Sequence, residues 1–218
     1  MIIPVTQKLP FSWDDVTFGQ GLKLIDSKDT ADTIAVFTGL NPETLRHAQI
    51  KNLQAVLDRI KFLDITPMPV IMPKSINGFL LPKNLEFNTI CRYEDCKLLV
   101  GKLLPKEEGA KLTSEQLAYY VEMVGIYTMP DYENAKPEDR KLFADQFYNS
   151  PCGEVMAIGN FTVMRYFELK IPGLKAFRKA ATLMHRFRLG LKGYSARLGF
   201  SLRYFLWKKK PLTSGTKS

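Results

Sequence analysis

After Glu168 the chain contains no acidic residue, and no other feature constrains its folding as strongly. From Arg165 to the end at Ser218 there are 14 Lys and Arg against that single acid, a net of +13. The whole chain carries +9, so residues 1–164 carry −4. A surface helix of an ordinary domain mixes signs, because mixed signs limit self-repulsion. The sequence therefore divides into a mildly acidic body, residues 1–168, and a basic arm, residues 169–218. The arm's one-sided charge suits a negative partner: nucleic acid, anionic lipid or an acidic protein face.

The arm is also apolar, which separates it from a simple solvated tail. Between Leu174 and Leu191, the residues Phe177, Ala180, Ala181, Met184, Phe187 and Leu191 recur at helical spacing, with Lys175, Lys179, Thr182 and Arg186 opposite. Arg188 intrudes on the apolar side. Pro172 suits a first helical turn, and Gly190 and Gly193 interrupt the helix. The next piece, Ala196–Trp207, fits a helix through Leu198, Leu202 and Phe205. It also alternates like a strand, and we read it as helix. The candidate partner-binding residues are Lys175, Arg178, Lys179, Arg186, Arg188, Lys192, Arg197, Arg203, Trp207, Lys208, Lys209 and Lys210.

The body reads as mainly α: several helices with a small β-hairpin insert at about residues 66–90. At 45% hydrophobic and 24% charged residues the whole chain has the composition of a folded protein, long enough for one core. Ser12 or Thr17 can cap a helix through Phe18–Ile25, with Asp14 and Asp15 near its positive end. Asp29 caps a second helix that Gly39 stops. Asn41-Pro42-Glu43 opens another, followed by a stripe of Ile50, Leu53, Val56, Leu57, Ile60 and Leu63. Pro67, Pro69, Pro73 and Pro82 then confine Val70–Met72 and Ile76–Leu81 to edge strands, with Asn77-Gly78 as the turn. Helices are expected again at Tyr93–Leu104, after the Thr113/Gln116 capping box, at Pro137–Tyr148 and at Glu154–Leu169, with a charged loop at 106–111.

Signals of catalysis are sparse. No HExxH, Walker loop, GxSxG or paired CxxC occurs. Gly19-Gln20-Gly21 lacks the third glycine of a dinucleotide site and reads as a backbone kink at a helix start. Cys91, Cys96 and Cys152 read as reduced thiols without the partners a zinc site needs. His47 reads as a surface residue near a helix end, and His185 lies in the arm. Asp14–Asp15, Glu94–Asp95 and Glu107–Glu108 are sequence neighbours, which point apart on a helix and make poor acid–base dyads. A Cys152–His nucleophile is the one long shot. The expectation is a protein that is not an enzyme and that uses no metal or cofactor.

Three short motifs carry a resemblance. Val16-Thr17-Phe18-Gly19-Gln20 is followed by Ile34-Ala35-Val36-Phe37-Thr38-Gly39-Leu40-Asn41-Pro42-Glu43, and then by a leucine-striped helix ending Ile60-Lys61-Phe62-Leu63. Over residues 13–64 this resembles small accessory proteins of tailed bacteriophages, of the tail-assembly-chaperone-like kind. The resemblance implies a non-enzymatic role in tail or virion assembly, other viral structural proteins as partners, and a place in the host cytoplasm or the virion. The N-terminus, Met1-Ile2-Ile3-Pro4, has no basic region leading into an apolar core, so no secretory signal is expected. No apolar run approaches the roughly 18 residues of a membrane span.

The arm leaves three partner classes open. An assembly partner with an acidic face suits both its charge and its apolar stripe, and self-association is compatible with the same surface. Nucleic acid is the alternative, because Phe177, Phe187, Tyr194, Phe200, Tyr204 and Trp207 interleave with the bases as stacking requires. An anionic membrane surface fits less well, since Arg188 and two glycines spoil the amphipathic face.

Overall fold

A computed structural model describes residues 9–104 and 112–170, with Asn84 and residues 168–170 described by their backbone alone. The candidate binding residues of the arm, Lys175 to Lys210, and the expected 106–111 loop lie outside the described residues. The body is mainly helical, as its periodicity implies, and its one sheet among the described residues is a two-stranded hairpin.

The N-terminal helices are set by their caps. Ser12 precedes a 3-10 turn at Trp13–Asp15, whose Asp15 carboxylate accepts from the Phe11 and Ser12 amides. Thr17 then caps α1 (Phe18–Asp26): its hydroxyl accepts from Gln20 N at 3.2 Å, and Gln20 Oε1 accepts from Thr17 N at 3.0 Å. Of the two candidate caps, Thr17 is the one that caps the expected helix, while Ser12 precedes the separate 3-10 turn. Asp29 caps α2 (Thr30–Thr38) by accepting from Asp32 N, and Gly39 closes it with φ +70°. Asn41 caps α3 (Pro42–Arg46) by accepting from Glu43 N at 2.8 Å.

The Ile50–Leu63 stripe divides at Lys61 into α4 (Ile50–Ile60) and α5 (Phe62–Ile65). Leu53, Val56, Ile60 and Leu63 are buried. Ile50 is a correction: it opens α4 and is 71% exposed, because the first residue of the stripe overhangs the core.

Residues 66–89 form a strap. The strands are only β1 (Ser75–Ile76) and β2 (Phe79–Leu80), joined by Asn77 (φ +49°) and Gly78 (φ +82°). Two consecutive positive φ values are what a tight two-residue hairpin requires. Val70–Met72, read from sequence as an edge strand, is not part of a strand; the flanking prolines Pro69 and Pro73 lack the N–H groups a ladder needs. Phe79 pins the hairpin to the body, its ring 5.2 Å from Phe143 and 6.2 Å from Phe147. Trp13 Nε1 donates to Thr66 O at 2.7 Å and ties down the strap's start.

The second half packs around two long helices. α6 (Ile90–Leu103) begins three residues before its expected start, because Thr89 caps it by accepting from Arg92 N. α7 (Ser114–Thr128) opens on the expected Thr113/Gln116 box. α8 (Pro137–Asp145) passes into a 3-10 turn at Gln146–Asn149, so Pro137–Tyr148 is not one continuous helix. α9 runs Cys152–Lys170 and lies against α1, α6 and α7.

Two glycines let these helices approach closely. The Tyr120 ring of α7 covers Gly159 of α9, where a Cβ would fall inside the ring's contact radius; Tyr120 is fully buried and donates to Asn160 Oδ1 at 2.8 Å. Gly21 of α1 faces Cys152 Sγ with no room for a side chain. Gly19 and Gly21 are thus inside a regular helix. The expected kink is absent, and the glycine at 21 serves packing against α9 instead.

A candidate partner-binding groove beside the root of the basic arm

α9 connects the core to the arm, and its C-terminal end is held by a ladder of aromatic rings. Phe87 stacks on Tyr127 at 5.5 Å and meets Tyr93 edge-on at 5.8 Å. Tyr93 stacks on Tyr166 at 5.9 Å, and Tyr166 meets Phe167 at 5.5 Å. Such ring pairs add roughly 0.5–1.5 kcal/mol each beyond burial, so α9 is held as far as Phe167 by α6, α7 and the strap together. Arg165, the first base of the positive stretch, belongs to this body. It lies 3.9 Å from Glu86 and is about one-third exposed.

Beside this root a groove of about 320 Å³ opens between the strap and α9. Met72, Pro73, Leu81, Pro82, Leu85 and Phe161 line it, with Lys74 and Lys83 completing the wall. Both lysines are exposed, and neither has a carboxylate within ion-pair distance among the described residues. Leu85 is 2% exposed yet has φ +46°. Left-handed backbone at a bulky residue costs about 1–2 kcal/mol, and the surrounding packing must over-determine it. The wall is therefore built from two prolines with fixed φ and a leucine held against its preference.

The other charged clusters are closed on themselves. Arg92 forms an ion pair with Glu133 at 2.7 Å and donates to the Ile126 and Met129 carbonyls. Arg140 pairs with Asp95 at 2.7 Å, and both guanidiniums lie over the Tyr132 ring, at 5.3 and 4.3 Å. Hydrogen bonds from Arg92 and then from Thr89 pull the Glu133 carboxyl down to about 2. This network ties α6, the end of α7 and α8 together. Arg46 engages Asp29, Asp32 and Glu43 at the surface. The adjacent carboxylates Glu94 and Asp95 point apart, one to Lys97 and the other to Arg140.

The cysteines do not assemble a site. Burial pushes the Cys96 and Cys152 thiols up to about 12, which removes thiolate character at neutral pH. Cys152 fills the space over Gly21, so the Cys152–His idea gives way to a packing role. Cys91 is half-buried beside Asp95 and Arg140. His47 is exposed at the end of α3, as expected. Among the described residues no three His, Cys, Asp or Glu side chains gather as a metal site needs, and no helix is long and apolar enough to cross a membrane.

Lys74, Lys83, Leu85 and Phe161 escape a reading based on local patterns. The available signal was indirect: Pro73 and Pro82 bracket the segment, each next to a lysine. Nothing local shows that Phe161 of α9 faces this segment. Compared with family models, with curated proteins and with solved structures, the chain matches none.

Proposed function

We propose that this chain is a non-enzymatic assembly adaptor of a tailed bacteriophage, holding tail or virion components through its helical body and basic arm. One observation carries the reading. Residues 171–218 contain twelve Lys and Arg and no acid, and in sequence they follow directly on α9, which is locked into the body by Tyr120 over Gly159 and by the aromatic ladder. A rigid base that presents one strongly positive, partly apolar element suits electrostatic steering toward an acidic protein face, followed by burial of apolar area. The resemblance of residues 13–64 to phage accessory proteins supports the viral context, and two of its motifs fall at helix boundaries: Thr17 caps α1, Gly39 closes α2 and Asn41 opens α3. The self-paired Arg92–Glu133 and Arg140–Asp95 clusters support a scaffold in which charge is spent on internal ties.

The reading is tested with the tagged full chain and disrupted phage particles or infected-cell extract, washed at rising salt. Tail or head proteins are expected to be retained at low salt and released as salt rises. A chain that remains monomeric and ignores every virion protein at micromolar concentration overturns it. The interleaved arm aromatics favour nucleic acid as the second reading. Phosphate contacts then require affinity for DNA or RNA to fall steeply with salt, and a flat slope removes that reading.

A further inference from the structure

We infer that the groove between the strap and α9 is a docking site for an acidic, apolar-anchored segment of the same partner protein. The inference rests on the adaptor reading and gives the partner a place on the body itself.

The floor supplied by Met72, Leu81, Leu85 and Phe161 is apolar, and Lys74 and Lys83 stand at its edge with no carboxylate to neutralise them among the described residues. The nearby acid, Glu86, faces Arg165. Apolar surface continues outside the groove: Ile71 is 73% exposed and Leu80 is 80% exposed, each adjacent in sequence to a lining residue, Met72 or Leu81. Two apolar side chains this open on a short strap contribute little to the core, so their area is available to a partner.

Charge selects the occupant. This chain's own arm, or that of a second copy, carries only positive charge beyond Glu168 and would meet two like charges in the groove. A segment with Asp or Glu on either side of an aliphatic or aromatic anchor matches both the floor and the rim. Its shape is also set in advance. Pro73 and Pro82 fix the backbone, the Asn77-Gly78 turn fixes the hairpin, and Leu85 is already in its left-handed conformation, so little ordering cost remains at binding. Phe161 precedes Lys170, where the described helix ends, by nine residues of α9, about 13 Å at the helical rise, so one partner segment can touch groove and arm root together.

The test uses the full chain and fluorescence anisotropy with a labelled synthetic peptide, in which Asp and Glu flank a single Phe. A second peptide carries Ser in place of the Phe. The variants are Lys74→Glu with Lys83→Glu, and separately Phe161→Ser, both at exposed positions, with thermal melts confirming that each is folded. Charge reversal is expected to weaken the Phe peptide about tenfold. Phe161→Ser should weaken the Phe peptide severalfold but leave the Ser peptide unchanged, which an arm-only contact would not do. If the peptide binds the wild-type chain and both variants within twofold, the groove proposal is overturned while the adaptor reading stands. If the wild-type chain binds no acidic peptide yet binds DNA with a steep salt slope, both fall.

Discussion

Two regions meet α9 in different ways. α7 meets it by interlocking side chains: Tyr120 covers Gly159, bonds to Asn160 and is shut away from water. The 66–89 strap meets it with prolines, a two-residue hairpin and a leucine in left-handed backbone, and leaves Ile71 and Leu80 open. The first region draws its stability from packing. The second keeps its shape by backbone restraint and leaves apolar surface unspent. Similar apolar side chains thus have different consequences, depending on whether a neighbour closes over them.

Substitutions should separate the two regions by size of effect. Gly159→Val places a side chain inside the Tyr120 ring, which cannot leave a fully buried site. We expect about 4 kcal/mol of destabilisation in urea melts, and a near-neutral result would break the close-packing account. Leu85→Ala should cost about 3 kcal/mol, since it removes a buried side chain while keeping a positive φ. Tyr120→Phe leaves Asn160 Oδ1 without its donor and should cost about 1 kcal/mol by the same measurement. At the other extreme, Ile71→Ser and Leu80→Ser should shift stability by no more than about 0.5 kcal/mol, and a large loss would mean that the strap is core after all.

The acid side of stability follows Glu133. Its carboxyl lies well below the ordinary value of 4.5, at about 2, because Arg92 and Thr89 donate to the charged form. A depressed carboxylate stabilises the fold above its unfolded value and loses that contribution as pH falls from 4.5 toward 2. The melting-temperature gap between the wild-type chain and Glu133→Gln should therefore narrow across that window. A gap independent of pH would show that the ion pair contributes nothing.

Helix caps were the most legible part of the sequence. Thr17, Asp29, Asn41 and Thr113 each act where a hydroxyl, carboxylate or amide precedes an apolar-periodic run, because capping is settled within four residues. Long-range closure was not legible. Gly19 and Gly21 carry no local mark that Tyr148 and Cys152 will lie over them, and Ile50 carries the same hydropathy as its buried neighbours. The groove was missed for the same reason. Its walls come from residues 72–85 and its far side from Phe161, and that pairing exists only once α9 is docked. The charge division at Glu168 needed no structure, whereas the arm's candidate residues lie outside the described part of the chain.

The central claim is that the body is complete without the arm and that the arm carries the contact with a partner. Truncation after Lys170 tests both parts in one preparation. Removing twelve bases and no acid from a chain of +9 leaves a product of −3, so its isoelectric point should move from basic to acidic. Among the described residues the buried core runs from Trp13 to Tyr166 and joins helices from both halves of the body. The account predicts a single cooperative thermal transition close to that of the full chain, with retention of virion proteins lost or severely weakened. A truncated chain that is insoluble or melts without cooperativity would contradict it, because the arm would then belong to the core.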